Sequence, residues 1–275
     1  MSAAGALALV LLSTAPRAWE GMFPAAAQAG FIFKLDAALE GKPLVFDVSP
    51  AGQPFLAADQ VIFPVNDRPT RKLPPFKLNG GGRIDALGFA HGGALLLISG
   101  KTLGVATNQG FRVLATLPRE KLHVATGSAQ ETWLWGGESI YSLARGGKVE
   151  HLLRAPTPIE ALAADGPRLV FATQGALLEL LGTGEPRLLI VLPAPARSLA
   201  LAPGGGLFYS TDAEVGFVSA AGRRYPFVKG KGAQVRVAGG ELFLFFEDEG
   251  ILRCSPVESF AAMAQAIDAA RDGGP

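Results

Sequence analysis

Six polar side chains recur along the chain at intervals of 36 to 38 residues, each beside a short apolar segment. They are Asp47, Asp85, His123, Glu160, Ser198 and Gln234. If the six segments pack around one axis, three carboxylates and an imidazole converge there, and such a set binds a divalent cation or a cationic ligand. The alternative is that the six side chains only solvate a polar channel. We treat them as candidate ligand-binding residues.

The segments around these residues repeat one pattern: an apolar strand, a Gly-rich turn, a second apolar strand, a polar loop and two more strands. A period near 37 residues suits four short strands per repeat. The 35 glycines and 20 prolines supply the many turns that this arrangement needs. The repeat therefore predicts an all-β fold, a six-bladed β-propeller over residues 28–255, with the six polar residues on the innermost strands.

The sixth repeat lacks a fourth strand, because the chain after Cys254 changes to a helical pattern. The missing strand lies upstream. Gln28–Leu35 shares its Gly-Phe start and its apolar alternation with Asn108–Leu114, at the fourth strand of the second repeat. We expect residues 28–35 to complete the sixth blade and close the ring, which removes the two free sheet edges of an open array.

Residues 1–27 have features of an export signal. Ala6–Leu12 is apolar but too short to cross a bilayer, and Ala25–Ala27 offers the small residues that a signal peptidase needs. Cleavage after Ala27 would leave a periplasmic or extracellular protein without a membrane span. Since no Lys or Arg precedes the apolar stretch, an uncleaved anchor or leader is the alternative.

Residues 256–275 follow the last repeat and predict a short C-terminal α-helix. Ser255–Glu258 is a capping box with proline at the first helical position. Phe260 and Ile267 belong to one apolar stripe of this helix. The stripe either packs on the propeller or docks a partner protein.

A basic segment interrupts the first repeat. Asn66–Lys77 contains four cationic side chains and three prolines. Because proline cannot donate a hydrogen bond to a sheet, we place this segment at the outer edge of the first blade. Arg71, Lys72 and Lys77 are candidate contacts for a partner protein, and a solvated irregular strand is the alternative.

No catalytic or cofactor motif stands out from the repeat. The chain has three histidines and one cysteine, without His-x-x-x-His or Cys-x-x-Cys spacing. It also lacks a phosphate-binding loop and a Gly-x-Ser-x-Gly turn. With 25 Lys and Arg against 24 Asp and Glu, the net charge of +1 gives no electrostatic reason to expect nucleic acid. We predict no catalytic residue and no cofactor, with a divalent cation in the channel as the open alternative.

The repeats of residues 159–173 and 198–212 resemble those of NHL and SMP-30/gluconolactonase-like six-bladed propellers. The likeness covers roughly residues 28–255 and identifies the architecture. SMP-30 members hold a metal with Glu, Asn and Asp in the channel for lactone hydrolysis. That site does not carry over, because none of the chain's asparagines (Asn66, Asn79 and Asn108) is at a ring position. Asp85, His123 and Glu160 are the residues left for a different metal site.

These observations favour a non-enzymatic, exported propeller that binds a protein or a small polar ligand. Two alternatives stay open at this stage. One is a metal-dependent, lactonase-like hydrolase or lyase that uses the polar ring. The other is a structural subunit of a cell-envelope assembly.

Overall fold

The structure is a computed structural model, in whose described part 24 β-strands form six four-stranded antiparallel sheets. It describes residues 27–35, 39, 42, 44–65, 76–77, 82–90, 92–107, 110–126, 131–144, 147–182, 184–256, 259–262 and 265. The sheets are the blades of a six-bladed β-propeller, as the repeat predicts.

Within each blade the strands follow chain order from the channel outward, except in the sixth. Blade one holds β2 (Val45–Val48), β3 (Pro54–Ala58), β4 (Val61–Pro64) and β5 (Phe76–Lys77). Blade two holds β6 (Ala86–Phe89), β7 (Leu95–Ser99), β8 (Thr102–Thr107) and β9 (Gly110–Thr116). Blade three holds β10 (His123–Thr126), β11 (Thr132–Gly136), β12 (Ser139–Leu143) and β13 (Val149–Arg154).

The remaining blades continue this order. Blade four holds β14 (Ala161–Asp165), β15 (Arg168–Thr173), β16 (Ala176–Leu181) and β17 (Arg187–Val191). Blade five holds β18 (Ser198–Leu201), β19 (Leu207–Ser210), β20 (Glu214–Val218) and β21 (Arg224–Lys229). Blade six holds β22 (Gln234–Ala238), β23 (Glu241–Phe246), β24 (Gly250–Pro256) and, outermost, β1 (Ala27–Lys34).

The outermost strand of blade six comes from the other end of the chain, which confirms the predicted closure. β1 pairs antiparallel with β24, from Ala27 opposite Pro256 to Lys34 opposite Gly250. The innermost strands β22 and β2 are neighbours, so blade six also contacts blade one. The ring is therefore closed by hydrogen bonds inside one blade, between the first and last strands of the chain.

The core is divided into six apolar clusters, one at each interface between neighbouring blades. The second strand of each blade lies between the first and third strands, and in blades one, two, five and six it is almost wholly buried, which explains its continuous apolar sequence. Phe243 and Phe245 illustrate the arrangement: both are fully buried, and the Phe245 ring lies 5.3 Å from that of Phe46 in blade one.

The chain segments beyond the blades are only partly described. Of the predicted export signal, only Ala27 is described, at the start of β1. In the basic segment only β5 is described, so Arg71 and Lys72 and the side chain of Lys77 lie outside the described residues. No helix in the described part of the chain is long and apolar enough to cross a membrane.

The short C-terminal helix is described at residues 260–262 and 265. Phe260 is only 5% exposed and packs edge-on against Phe208 at 5.4 Å. The prediction that Phe260 contacts a partner is therefore corrected: its ring is part of the apolar cluster between blades five and six. Ile267 lies outside the described residues.

Candidate functional site

The propeller axis is occupied by an open channel of about 460 Å³, which is lined by the innermost strands of all six blades. All six polar residues that the repeat singled out contribute to its wall. They are joined by Arg197, Arg236, Glu247 and Trp135. This volume falls in the range of about 300–1,000 Å³ that is typical of small-ligand sites.

The polar residues do not form one ring, because the strand registers place them at three depths. The rim level directly precedes the first paired residue of an inner strand and contains Asp85, Glu160 and Arg197. The middle level is that first paired residue: His123, Ser198 and Gln234. The deep level is two residues further along and contains Asp47 and Arg236. At about 3.3 Å per residue, the rim and the deep level are about 10 Å apart along a strand.

The prediction that Asp47 occupies the same position as Asp85 is therefore wrong. In blade one the ladder begins at Val45 opposite Ala57, and Asp47 is the third residue of that ladder. The residue at the rim level of blade one is Leu44, which carries no polar group. Asp47 faces a different set of neighbours from the residues with which the repeat aligned it.

The deep level is built around Arg236, whose guanidinium joins three blades. Its Nε donates to Asp47 Oδ1 of blade one at 2.6 Å, and its Nη1 donates to Ser198 Oγ of blade five at 3.2 Å. Nη1 also donates to the carbonyl of Val235 at 2.8 Å. Ser198 Oγ in turn accepts the Val235 amide at 3.0 Å. Asp47, Ser198 and Arg236 thus use their hydrogen-bonding groups on one another and on the backbone.

Small residues at the same depth leave room for the Arg236 side chain. The third ladder positions of the other four blades are Gly88, Ala125, Ala163 and Ala200. Asp47 is only 8% exposed. Burial raises the pKa of its carboxyl above the ordinary value, although the charge of Arg236 and the hydrogen bonds from Arg236 and the Val48 backbone act in the opposite direction.

At the rim, Asp85 and Glu160 are held in the same way. Asp85 Oδ2 accepts the backbone amide of Gly100 at 2.7 Å, and Glu160 Oε2 accepts the amide of Gly175 at 3.3 Å. Both amides belong to the turn between the second and third strands of the same blade. Glu160 Oε2 also accepts the Ala196 amide from the next blade at 2.9 Å. One oxygen of each carboxylate is therefore oriented by backbone amides, and the second oxygen has no hydrogen bond in the described part of the chain; Asp85 Oδ1 lies 3.9 Å from Arg83 Nε.

Between these two carboxylates, blade three presents a stacked pair of rings. His123 lies on Trp135 with ring centroids 4.4 Å apart and an angle of 26° between the planes. The imidazole is exposed to the channel, but the surrounding wall replaces much of its bulk water. This desolvation lowers the pKa of His123 below its ordinary value, and the charge of Arg236 lowers it further. His123 is therefore neutral at pH 7 and able both to donate and to accept a hydrogen bond.

The rim on the side of blades five and six is charged and ion-paired. Arg197 donates to Glu247 Oε1 at 3.0 Å and lies 3.4 Å from Asp212. Lys231 contacts Asp248 at 2.6 Å and Glu249 at 2.7 Å. A shallow groove lies between these two blades, and it shares Arg197, Gln234 and Glu247 with the channel. The binding surface thus continues from the channel onto this rim.

The described channel residues do not bring three ligands for a divalent cation together. Within the described residues, no three His, Cys, Asp or Glu side chains are grouped as metal ligands. Asp47 is paired with Arg236, and the carboxylates of Asp85 and Glu160 are anchored on blades two and four, with blade three between them. Asp85, His123 and Glu160 consequently do not come together as the alternative metal site considered from the sequence.

Arg236 and Trp135 are among the channel residues that the repeat did not identify. The signal for Arg236 was present in the sequence: it follows Gln234 by two residues on one strand and so points to the same face. Trp135 is opposite His123 in the strand register. Neither residue lies at the one position that recurs in the repeat, because the polar side chains of the channel are spread over three levels and onto a second strand.

Comparison with known proteins supports the fold assignment and does not identify the site. No protein-family model and no curated protein matches the chain. An X-ray structure provisionally assigned as a gluconolactonase is similar with a TM-score of 0.61 and 15% identity, over 86% of this chain and 94% of the other. A structure of U3-55K has a TM-score of 0.55 and 14% identity, over 84% of this chain and 85% of the other.

A third similar structure is the extracellular domain of a provisionally assigned one-component system from B. thetaiotaomicron. Its TM-score is 0.55 at 15% identity, over 73% of this chain and 31% of the other. At such identities the similarity establishes the six-bladed propeller alone. It agrees with the resemblance to SMP-30 and NHL propellers that the repeats show.

Proposed function

We propose that this protein is an exported, non-enzymatic binding module whose central channel takes a small polar ligand. The observation that carries the proposal is the division of the channel residues into two groups. Asp47, Ser198 and Arg236 form one hydrogen-bonded network. Asp85, His123, Glu160 and Gln234 also line the channel and keep polar atoms without a hydrogen-bond partner in the described structure.

A ligand that sits on the deep level would therefore meet both acceptors and donors. The carboxylate oxygens of Asp85 and Glu160 that do not bind backbone amides can accept hydrogen bonds from a ligand. Gln234 and neutral His123 can both donate and accept. The Trp135–His123 stack supplies the flat apolar surface that most small-ligand sites contain. Because the wall is made of paired strands, the site is preorganised, which lowers the entropic cost of binding.

The proposal is tested by a binding screen on the purified protein. Thermal-shift measurements with sugars, sugar acids, lactones, amines and short peptides should identify a stabilising class, and calorimetry should give a one-to-one complex. His123→Ala should weaken binding at least about tenfold. His151→Ala is the matched control, because His151 is on outer strand β13, edge-on against Tyr141. Equal affinity in the two variants would refute a channel site.

A lactone or ester hydrolase is the second candidate, favoured by the similarity to the gluconolactonase structure and by the neutral, unpaired imidazole of His123 in the channel. In that case lactones would be turned over, and His123→Ala would abolish turnover while His151→Ala would not. Turnover of a lactone by the wild-type protein would overturn the non-enzymatic proposal. Binding without turnover would support it.

A further inference from the structure

We propose that the channel selects a ligand that carries an organic cation, an ammonium or a guanidinium group. This inference rests on the proposed channel site and specifies its chemistry. The source of the cation is either a free small molecule or a basic side chain of a partner protein, and the experiment below separates the two.

The channel carries a net negative charge. Its wall contains four carboxylates, from Asp47, Asp85, Glu160 and Glu247, and two guanidinium groups, from Arg197 and Arg236. These give a formal charge of −2, since His123 is neutral at pH 7. The whole chain carries +1. A concave, low-dielectric cleft focuses its own field, so this local charge attracts cations although the protein as a whole does not.

Two of the four channel carboxylates are paired with an arginine. Arg236 neutralises Asp47 at 2.6 Å, and Arg197 neutralises Glu247 at 3.0 Å. Among the described residues, the cationic partner of Asp85 is Arg83, at 3.9 Å and largely in solvent. Glu160 has backbone amides but no cationic partner among the described residues. The uncompensated charge thus resides on Asp85 and Glu160 at the rim.

Blades two and four hold Asp85 and Glu160 at equivalent ladder positions, and each carboxylate is oriented by the amide of its own turn. Orientation by backbone lowers the ordering cost of binding a ligand to the second oxygen of either carboxylate. A guanidinium or ammonium group presents several N–H donors and no acceptor, which suits a carboxylate that can only accept. Gln234 and His123 remain for the rest of the ligand.

The groove between blades five and six indicates how a partner protein would supply the cation. Asp212, Glu247 and Asp248 line it together with Arg197 and Lys231, which pair with these carboxylates, and it joins the channel at Arg197, Gln234 and Glu247. An extended segment in this groove would place one basic side chain over the channel. A free amine would use the channel alone.

The experiment uses calorimetry on the full chain with four probes: butylguanidinium, butylammonium, neutral pentanamide and the blocked tripeptide acetyl-Ala-Arg-Ala-amide. We expect the cations to bind and pentanamide not to bind. Glu160→Gln and Asp85→Asn should each weaken cation binding at least about tenfold. The amide side chains still accept the turn amides, so these variants keep the local structure. Glu150→Gln, on outer strand β13, is the matched control. Affinity should fall as salt is raised.

The two sources of the cation give different results. Binding of the tripeptide at least tenfold tighter than butylguanidinium, with a loss on Asp212→Asn, identifies a protein partner. Equal binding identifies a free small molecule.

Three results would overturn the inference. They are equal binding of pentanamide and butylammonium, unchanged cation affinity in both carboxylate variants, and binding of Ca²⁺ or Mn²⁺ in place of the organic cations. If a neutral or anionic ligand from the screen binds and depends on His123, the channel site stands and only the cation selectivity fails. If no compound binds the wild-type protein, both fail.

Discussion

Arg236 connects the last blade to the first and to the fifth through side-chain hydrogen bonds. Its partner Asp47 is buried, and the Arg236 side chain is 29% exposed. Removing one member of such a pair leaves a buried charge without compensation, which costs more than the pair contributes when intact. The Asp47–Arg236 pair therefore affects stability mainly because breaking it would leave a buried charge unpaired.

Arg236→Met should lower the free energy of unfolding by roughly 3 kcal/mol. Asp47→Asn in the same chain should recover part of this loss, because the buried charge is then absent as well. Urea unfolding of both single variants and the double variant gives the coupling energy. Arg154→Met is the control, since its contact with Glu138 is exposed and should change stability by less than about 1 kcal/mol. Independent, additive losses at Arg236 and Asp47 would contradict this account.

His123 should make the protein less stable in mild acid. Its pKa in the folded state lies below the unfolded value of about 6.5, so the unfolded chain takes up the proton more readily. The contribution of neutral His123 is complete above that unfolded value and is lost as the pH falls through the folded pKa. Between pH 7.5 and 5 the wild-type protein should lose more stability than His123→Gln.

The pKa of His123 is also measurable directly. An NMR titration of its ring protons should give a value below 6.5. In Arg236→Met the pKa should rise, because a nearby positive charge is removed. A titration at or above 6.5 in the wild-type protein would show that the channel wall does not desolvate the ring.

The fourth strands contain β-bulges, which the apolar alternation of the sequence did not predict. In five blades the register shifts by one residue, at Ile32, Leu114, Leu152, Leu189 and Phe227. Each shift is a β-bulge, which lets two successive residues face the same side. Leu152 and Leu153 thus both pack into the cluster between blades three and four. Pairs of adjacent apolar residues in these strands are the sequence signal for the β-bulge.

Two third strands carry a glycine opposite this bulge, Gly104 in blade two and Gly216 in blade five. At Gly104, a Cβ atom would lie 2.5 Å from the Phe111 ring and 2.6 Å from the carbonyl oxygen of Arg112. A backbone oxygen inside a paired strand cannot move away easily. The glycine is therefore required by close packing and not by its backbone angles.

Gly104→Ala should lower the free energy of unfolding by about 1–3 kcal/mol, the usual cost of overpacking. Gly92→Ala is the matched control, because no atom lies within 4 Å of the added methyl group. Its effect should stay within about 0.5 kcal/mol. Chemical denaturation of the two variants compares them, and equal stability would mean that the Phe111 strand adjusts without cost.

On the scale of the whole molecule, the sequence was sufficient for the ring but not for the channel. The period, the apolar second strands and the Gly-Phe likeness of residues 28–35 predicted six blades and their closure, since these features repeat. The channel depends on differences between the blades. Blade one begins its ladder two residues before Asp47, and a pattern search that assumes one recurring position cannot detect such an offset. The pairing of Asp47 with Arg236, 189 residues apart, required the closed ring.

Closure by β1 is the property on which the whole ring depends. β1 covers the edge of β24, and its Ile32 and Phe33 pack into the cluster between blades six and one. A chain that begins at Leu35 would expose that edge and open the cluster. Blades one and six would then lose their common interface, together with the Asp47–Arg236 contact that spans it.

We therefore expect the chain from Leu35 onward to unfold without a single cooperative transition, whereas the chain from Ala27 onward, which retains β1, should keep one. A synthetic peptide of residues 27–35 should restore the transition in a concentration-dependent manner, because strand pairing does not require a covalent link. Circular dichroism during thermal unfolding measures all three samples. Identical melting of the two chains would show that the ring does not need its N-terminal strand, and failure of the peptide alone would show that the strand must be covalently attached.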